Sequence, residues 1–293
     1  MTGGKDANDE LPIVRDHRRQ WRDCLYVYPV IARRSRGLSI GVNLNPEKRC
    51  TFSCVYCQVD RRSRRELHSV DIETLRRELD LAIAEALGGG LWREERFAAT
   101  PPELRRVNDI AFSGDGEPTC LANFGQAVQA AAEARRQARL ESLKLIVITN
   151  ASSLDQPQVA ASLPILDANN GEIWAKLDAG TEAAFRRINR PKSPISLEEI
   201  VANITEIARG RPVVIQSMFF RAAGQAPPAE EVAAYCRRLQ EIIQGGGRIK
   251  LIQVYSVARV PAEKNVSALS AEELEAICRV VRRALPGVAV ESY

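Results

Sequence analysis

The chain has 293 residues, 45% of them hydrophobic and 27% charged, with a net charge of +4. That length can bury a sizeable core, no run of eighteen apolar residues offers a membrane span, and Met1 to Glu10 lacks the apolar centre of a signal peptide. Seven cysteines, an odd number with three of them close together, argue against a disulfide framework and suit a reducing compartment. The expectation is a cytoplasmic protein without a membrane partner, built as a polar tail over residues 1–20 and one domain over residues 21–293.

Apolar runs alternate with helical ones, the pattern of a parallel α/β fold. Leu38 to Leu44 reads as the first strand. A helix follows from Asp71 to Leu87, with Ile72, Leu75, Leu79, Ile83 and Leu87 on one face and Gly88-Gly89-Gly90 as its stop. Gly88 to Pro102 reads as an insertion. Val107 to Phe112 is the next strand, then a helix near Phe124 to Leu140, a strand from Leu143 to Thr149, and a short helix near Gln156 to Leu163. Glu172 to Leu177 is a strand, and Thr181 to Asn189 and Ser196 to Ala208 are helical. Val213 to Phe219 and Ile249 to Val254 read as strands around an amphipathic helix, Ala229 to Ile243, that ends at Gly245-Gly246-Gly247. Ala271 to Leu285 closes the set. About six strand-helix units result.

Cys50, Cys54 and Cys57 place three thiols on one short loop after the first strand, with three and then two residues between them. A four-iron cube has four corners and usually takes thiolate, so three sulfurs hold it and leave one iron open. A catalytic zinc site keeps a position open by the same logic. Zinc, with His68 or a distant cysteine as fourth ligand, is the competing reading, and so are three unrelated neighbouring thiols. Zinc motifs usually pair their ligands in two clips, and no second clip follows here.

Other polar groups fall just after strands, where parallel α/β folds build their sites. Ser113-Gly-Asp-Gly-Glu-Pro118 follows the second. It reads either as an ordinary turn or as a loop in which Gly114 and Gly116 let the chain approach a ligand with backbone angles a Cβ would forbid, with Glu117 holding the loop. Asn150 follows the third strand and Asp178 the fourth; both suit ribose or carboxylate groups, and both suit turns or helix caps, Asp178 standing before the helix from Thr181. Lys176 can pair with a carboxylate or make a buried salt bridge. Gln216, Arg190-Pro191 and Tyr255 lie within reach of the same mouth, without an assigned role. Neither His17 nor His68 is given a catalytic role, and no catalytic residue is named.

The stretch Gly41-Val-Asn-Leu-Asn-Pro-Glu-Lys-Arg-Cys-Thr-Phe-Ser-Cys-Val-Tyr-Cys57 resembles the cluster loop of the radical S-adenosylmethionine (SAM) enzymes, including the aromatic Tyr56 before the last cysteine. Ser113 to Pro118 looks like the Gly-Gly-Glu motif of that family, with Asp115 in place of a glycine. Lys176-Leu-Asp178 and Arg190-Pro191 are most similar to the subfamily of wyosine-type tRNA-modifying synthases and related bacterial proteins of unassigned substrate. The likeness runs from about Ser39 to Pro261.

It implies a partial (β/α)6 TIM-like barrel with parallel strands, a [4Fe-4S] cluster on Cys50, Cys54 and Cys57, and SAM bound by Tyr56, Ser113, Gly114, Asp115, Gly116, Glu117, Asn150 and Asp178. The activity implied is reductive cleavage of SAM to a 5′-deoxyadenosyl radical that takes hydrogen from a substrate. An electron donor such as flavodoxin or ferredoxin is implied too. The substrate stays open between tRNA, modified in the wyosine manner, and a protein or peptide; the non-enzymatic alternative is a zinc-bound RNA-binding module. One departure weakens the tRNA reading: the wyosine-type synthases are expected to hold a second cluster on upstream cysteines, and here only Cys24 precedes the loop. Arginines crowd residues 15–36 and 61–65, which suits phosphate, but arginine is this chain's habitual cation and charge runs are commonly solvated faces.

Overall fold

The computed structural model of the protein describes residues 18–32, 34–59, 69–258, 261 and 263–293. In chain order these residues form β1 (Val27–Ala32), β2 (Gly37–Val42), α1 (Ile72–Leu87), β3 (Val107–Phe112), α2 (Phe124–Gln137), β4 (Lys144–Thr149), α3 (Pro157–Ala168) and β5 (Gly171–Lys176). Then come α4 (Glu182–Ile188), α5 (Leu197–Gly210), β6 (Val213–Met218), β7 (Arg221–Ala222), α6 (Ala229–Gln244), β8 (Ile249–Tyr255), β9 (Val266–Ser267), α7 (Ala271–Ala284) and β10 (Ala289–Ser292).

Eight strands make one sheet in the order β1-β2-β3-β4-β5-β6-β8-β10. From β2 onward every neighbouring pair is parallel, and only β1 runs antiparallel. The six expected strand-helix units are β2, β3, β4, β5, β6 and β8 with their helices, a partial TIM-like barrel. Two edge strands were not foreseen. Pro29 interrupts the apolar run of β1, which a sheet tolerates at its edge because no ladder N–H is needed on the outer side; β10 is four residues long and mostly exposed.

Local rules account for most helix ends. Asp71 caps α1 by accepting from the Glu73 and Thr74 N–H groups, and Ser196 with Glu199 and Ser270 with Glu273 form capping boxes at α5 and α7. α3 runs on through Pro164 to Ala168 rather than stopping at Leu163. The insertion after α1 folds as three single helical turns that bury Leu91, Phe97 and Leu104. Glu78 of α1 is buried and accepts from the N–H groups of Leu25, Tyr26 and Val27 at 2.7, 2.8 and 3.0 Å, fixing the start of β1.

Alternation along each strand divides the sheet. Ile110, Phe112, Leu145, Val147, Ile173 and Ala175 join the main core under the helices, while Ala111, Ile146, Trp174 and Val214 form a separate apolar cluster on the lumen face. The same parity puts Asp109, Lys176, Gln216 and Gln253 toward the lumen. Asp109 is 2% exposed, accepts from the Ser39 hydroxyl, and is pushed by burial up to about 6.

A carboxyl whose folded pKa exceeds its unfolded value costs stability as pH rises from about 4 through about 6, because the folded state holds the proton longer. Asp109→Asn is therefore expected to raise stability at pH 7.5 by on the order of 1 to 3 kcal/mol and to flatten the pH dependence below 6. Thermal unfolding at pH 5 and 7.5 checks it: an equal shift at both pH values would remove the titration as its cause.

Among the described residues no helix is long and apolar enough to cross a membrane. A groove of about 560 Å³ between α1, α2 and α3, lined by Ile72, Arg76, Asn123, Gln126 and Ile165, lies on the helical exterior, away from the cysteines.

Candidate functional site

The three cysteines, the Ser113 to Pro118 loop, Asn150 and Asp178 do meet at the carboxyl ends of β2, β3, β4 and β5. The first stitch is a pair of asparagines just past β2. Asn43 Oδ1 accepts from the Asp115 and Asn45 N–H groups, both at 3.1 Å, while Asn43 Nδ2 donates to Asp115 at 2.8 Å and Asn45 Nδ2 to the Glu117 carbonyl at 3.0 Å. Neither asparagine was singled out from the sequence. The signal was present in Asn43-Leu-Asn45, two residues that readily bond local backbone directly after a strand.

Gly114 and Gly116 owe their identity to space, not to backbone angles. Neither has a positive φ, so the expected dihedral argument fails. A Cβ on Gly116 would sit 1.7 Å from the Arg49 carbonyl oxygen, and one on Gly114 would sit 2.3 Å from Asn43 Oδ1. The Glu117 N–H donates to that same Arg49 carbonyl at 3.1 Å. The loop after β3 is thus pressed against the residue that precedes Cys50.

Glu117 is 2% exposed and spends both oxygens inside the protein. It accepts from the hydroxyls of Thr119 and Thr149 at 2.6 and 2.7 Å and from the Asn150 N–H at 2.7 Å. Burial raises its pKa, and these donors oppose the rise. Glu117 therefore braces its loop against the end of β4, as expected of a holding residue. Ser113 is anchored through its N–H to the Val42 carbonyl and through its hydroxyl to Tyr28 at 3.1 Å. Asp115 is paired with Arg19, so the proposed tail boundary at residue 20 falls inside a segment tied to the site. Arg22 is likewise engaged, by Glu85 and Glu94.

The cysteine loop lies along the end of α4. Val55 N–H donates to the Ile188 carbonyl at 2.9 Å, Lys192 N–H to Thr51, and Phe52 bridges to Pro191. Two amides point at sulfur: Asn150 Nδ2 stands 3.8 Å from Cys50 Sγ, and Asn189 Nδ2 3.6 Å from Cys54 Sγ. Asn150 also donates to the Thr51 hydroxyl at 2.8 Å. Asn189 was read only as the end of a helix. Burial pushes the Cys54 thiol up to about 12, with the charge of Asp178 adding to it.

Asp178 is 5% exposed and receives four donors: Tyr56 Oη at 2.5 Å, Met218 N–H at 2.9 Å, Asn189 Nδ2 at 3.0 Å and Lys176 Nζ at 3.2 Å. It does not cap α4; Thr181 does, accepting from Ala184 N–H. Lys176 makes the buried salt bridge rather than facing an empty space. Burial works to lower its pKa, but Asp178 and the Tyr255 hydroxyl, 2.7 Å away, hold it above the usual lysine value. Burial likewise drives Tyr56 well above the usual phenol value.

All seven cysteines are free thiols. Cys236 and Cys278 are buried in α6 and α7, and the Cys120 thiol donates to the Glu117 carbonyl at 2.9 Å. His17 and His68 lie outside the described residues. Among the described residues no three His, Cys, Asp or Glu side chains converge on a single metal-ion position.

Solved structures decide the fold. The chain superposes on a radical SAM methyltransferase from Sphaerobacter thermophilus with a TM-score of 0.61 over 91% of this chain and 68% of that one, at 13% identity. The fold is that of the radical SAM proteins. Streptococcus suis SuiB bound to S-adenosylmethionine gives 0.57 over 89% of this chain and 52% of that one, at 13% identity. TYW1 with a lysine-pyruvate adduct bound gives 0.55 over 85% and 74%, at 16% identity.

Among curated proteins, a UPF0026 protein of Synechocystis is 32% identical over 170 residues, 57% of this chain and 54% of its own length. A protein of Brachyspira hyodysenteriae named GTPase Obg is 24% identical over 254 residues, 84% of this chain and 32% of its own. The chain thus spans about half of the first relative and a third of the second. No family model matches it.

Proposed function

We propose that the protein is a radical SAM enzyme whose [4Fe-4S] cluster is held by Cys50, Cys54 and Cys57 and whose SAM lies against the Ser113 to Pro118 loop. One observation carries this reading: the loop bearing three thiols is interlocked, through Asn43, Asn45 and the Arg49 carbonyl, with the glycine loop at the end of the neighbouring parallel strand. The donor set fits. Three thiols on one short loop match three corners of a cube and leave its fourth iron open.

When bound, the cluster and SAM supply one-electron cleavage of a carbon-sulfur bond and a radical able to abstract hydrogen. The chain's own residues position and enclose. Asn150 and Asn189 offer N–H groups to two of the sulfurs, a contact that stabilises thiolate charge and tunes iron-sulfur potentials. Gly114 and Gly116 let the second loop close on the first, and Glu117 fixes that closure. Tyr56, held by Asp178, packs edge-on against Phe220 with ring centres 5.9 Å apart, joining the cysteine loop to a small apolar cluster that Cys54 also touches. The electron donor is a flavodoxin- or ferredoxin-like protein.

The test is anaerobic reconstitution with iron and sulfide, then dithionite and SAM. Formation of 5′-deoxyadenosine is expected; one equivalent of zinc with no iron uptake would sink the reading in favour of a zinc-bound RNA-binding module. A second reading, tRNA modification of the wyosine type, is favoured by the Lys176-Leu-Asp178 and Arg190-Pro191 segments together with the likeness to TYW1. Protein or peptide modification is its rival. Deuterium transfer into 5′-deoxyadenosine from labelled cell RNA or labelled protein fractions separates them.

Glu117 gives a quantitative check. Glu117→Ala leaves two hydroxyls and two backbone N–H groups without their acceptor, at about 1 to 3 kcal/mol for each donor that water cannot reach. The cluster is expected to survive while SAM affinity falls at least tenfold, read by anaerobic calorimetry. Unchanged affinity would reduce the segment to an ordinary turn.

A further inference from the structure

Arg34 sits in the turn between β1 and β2, half-buried, and reaches over the lumen face of the sheet. Its guanidinium carbon is 5.1 Å from the centre of the Tyr255 ring and 6.0 Å from that of Trp174. The Tyr255 hydroxyl is bonded to Lys176, and Lys176 Nζ is 5.1 Å from the centre of the Tyr56 ring. One file of side chains therefore runs from Arg34 through Tyr255 and Lys176 to the cysteine loop.

The carboxylates along the lumen face take most of the nearby cations. Glu172 is bonded by Lys144 at 2.9 Å and by Lys250 at 2.6 Å, and Asp178 takes Lys176. Asp109 is bonded by Ser39 and carries a pKa raised by burial. Asp109 lies within electrostatic reach of Arg34, and Glu291 stands in register with Gln253 on the last strand. Lys144, Lys176 and Lys250 each bond a carboxylate, whereas among the described residues the Arg34 guanidinium donates to no hydrogen-bond acceptor. Stacking on aromatic rings uses only the faces of a guanidinium; its five N–H donors lie in the plane, in the fork that matches a carboxylate or phosphate. A cation held against two rings in a half-closed lumen has lost water on its faces and gains most from a bidentate oxyanion.

We propose that Arg34 is an anion-binding residue of the lumen, recognising a carboxylate or phosphate group on the molecule that the enzyme acts on. That this molecule is a substrate rests on the radical SAM reading; the anion site itself does not. The aromatic pair orients the fork, and Lys176, already satisfied by Asp178 and Tyr255, is left to wall the path toward the cysteine loop.

The experiment titrates the anaerobically reconstituted full chain with sodium phosphate and, separately, sodium acetate at constant ionic strength, following tryptophan fluorescence and binding heat. Trp174→Phe identifies the reporter among the three tryptophans. Wild type is expected to saturate with at least one anion, the tighter one naming the group. Arg34→Gln should abolish saturation, and Arg34→Lys, which keeps the charge without the fork, should weaken it at least tenfold; circular dichroism checks that both are folded, and either folded variant suffices for the comparison. No saturation in wild type, or equal saturation in wild type and the folded variants, overturns the proposal. Anion binding in a protein that yields no 5′-deoxyadenosine would sink the radical SAM reading and leave this site standing.

Discussion

Replacing Cys54 with alanine is expected to abolish both the brown absorbance of the reconstituted protein and its formation of 5′-deoxyadenosine under dithionite. The cube takes its protein ligands from this one loop, so losing one thiolate leaves it held at only two corners. Cys54 has Asn189 Nδ2 beside it and the Asp178 network behind. Loss of the thiol leaves the Asn189 amide still held by Asp178, so the fold around the site should persist. Cys278→Ala is the control: that thiol is fully buried in α7, and its removal should cost modest stability and no colour. Iron and sulfide content, visible absorbance and product formation are the measurements. Full product formation by the Cys54 variant, or equal bleaching by the Cys278 variant, would refute the assignment of the cluster to this loop.

The contrast between these two cysteines shows what the chain discloses in one dimension. Alternating apolar runs located β2 to β6 and β8 within a few residues, because a parallel strand buried on both faces leaves a short, dense apolar signature. β1 left a weaker one. It is held by contacts from elsewhere, the Glu78 carboxylate above all, and Pro29 masks its strand character. The strand-end rule placed Cys50, Ser113, Asn150 and Asp178 at one mouth correctly. Their partners were not legible, since Asp178 with Tyr56 joins residues 122 positions apart and Asn189 with Cys54 joins residues 135 apart. Local propensity explains why an Asp or Asn tolerates a turn; only the packed sheet decides whose donors that carboxylate receives. The glycines show the same limit from the other side: Gly114 and Gly116 were rightly marked as special, but the reason was tertiary crowding rather than φ.

That crowding sets the second large effect. A Cβ on Gly116 would lie 1.7 Å from the Arg49 carbonyl oxygen and 2.7 Å from Asn45 Cβ, and the first of these is backbone that no rotamer change can clear. Gly116→Ala must therefore move either the glycine loop or the segment that leads into Cys50, breaking the Glu117 N–H bond to Arg49 on the way. Overpacking against fixed backbone costs on the order of 1 to 3 kcal/mol. Because the strain falls between the two loops, SAM affinity is expected to drop more than tenfold and iron retention to fall with it, while the helices and sheet remain. Gly287→Ala, whose added Cβ meets nothing within 4 Å, supplies the neutral comparison. Calorimetric SAM binding, iron per chain and thermal unfolding of the two variants decide the matter. A Gly116 variant with wild-type SAM affinity would mean that the close approach of these loops serves packing alone, and the two halves of the proposed cofactor site would no longer be coupled through Arg49.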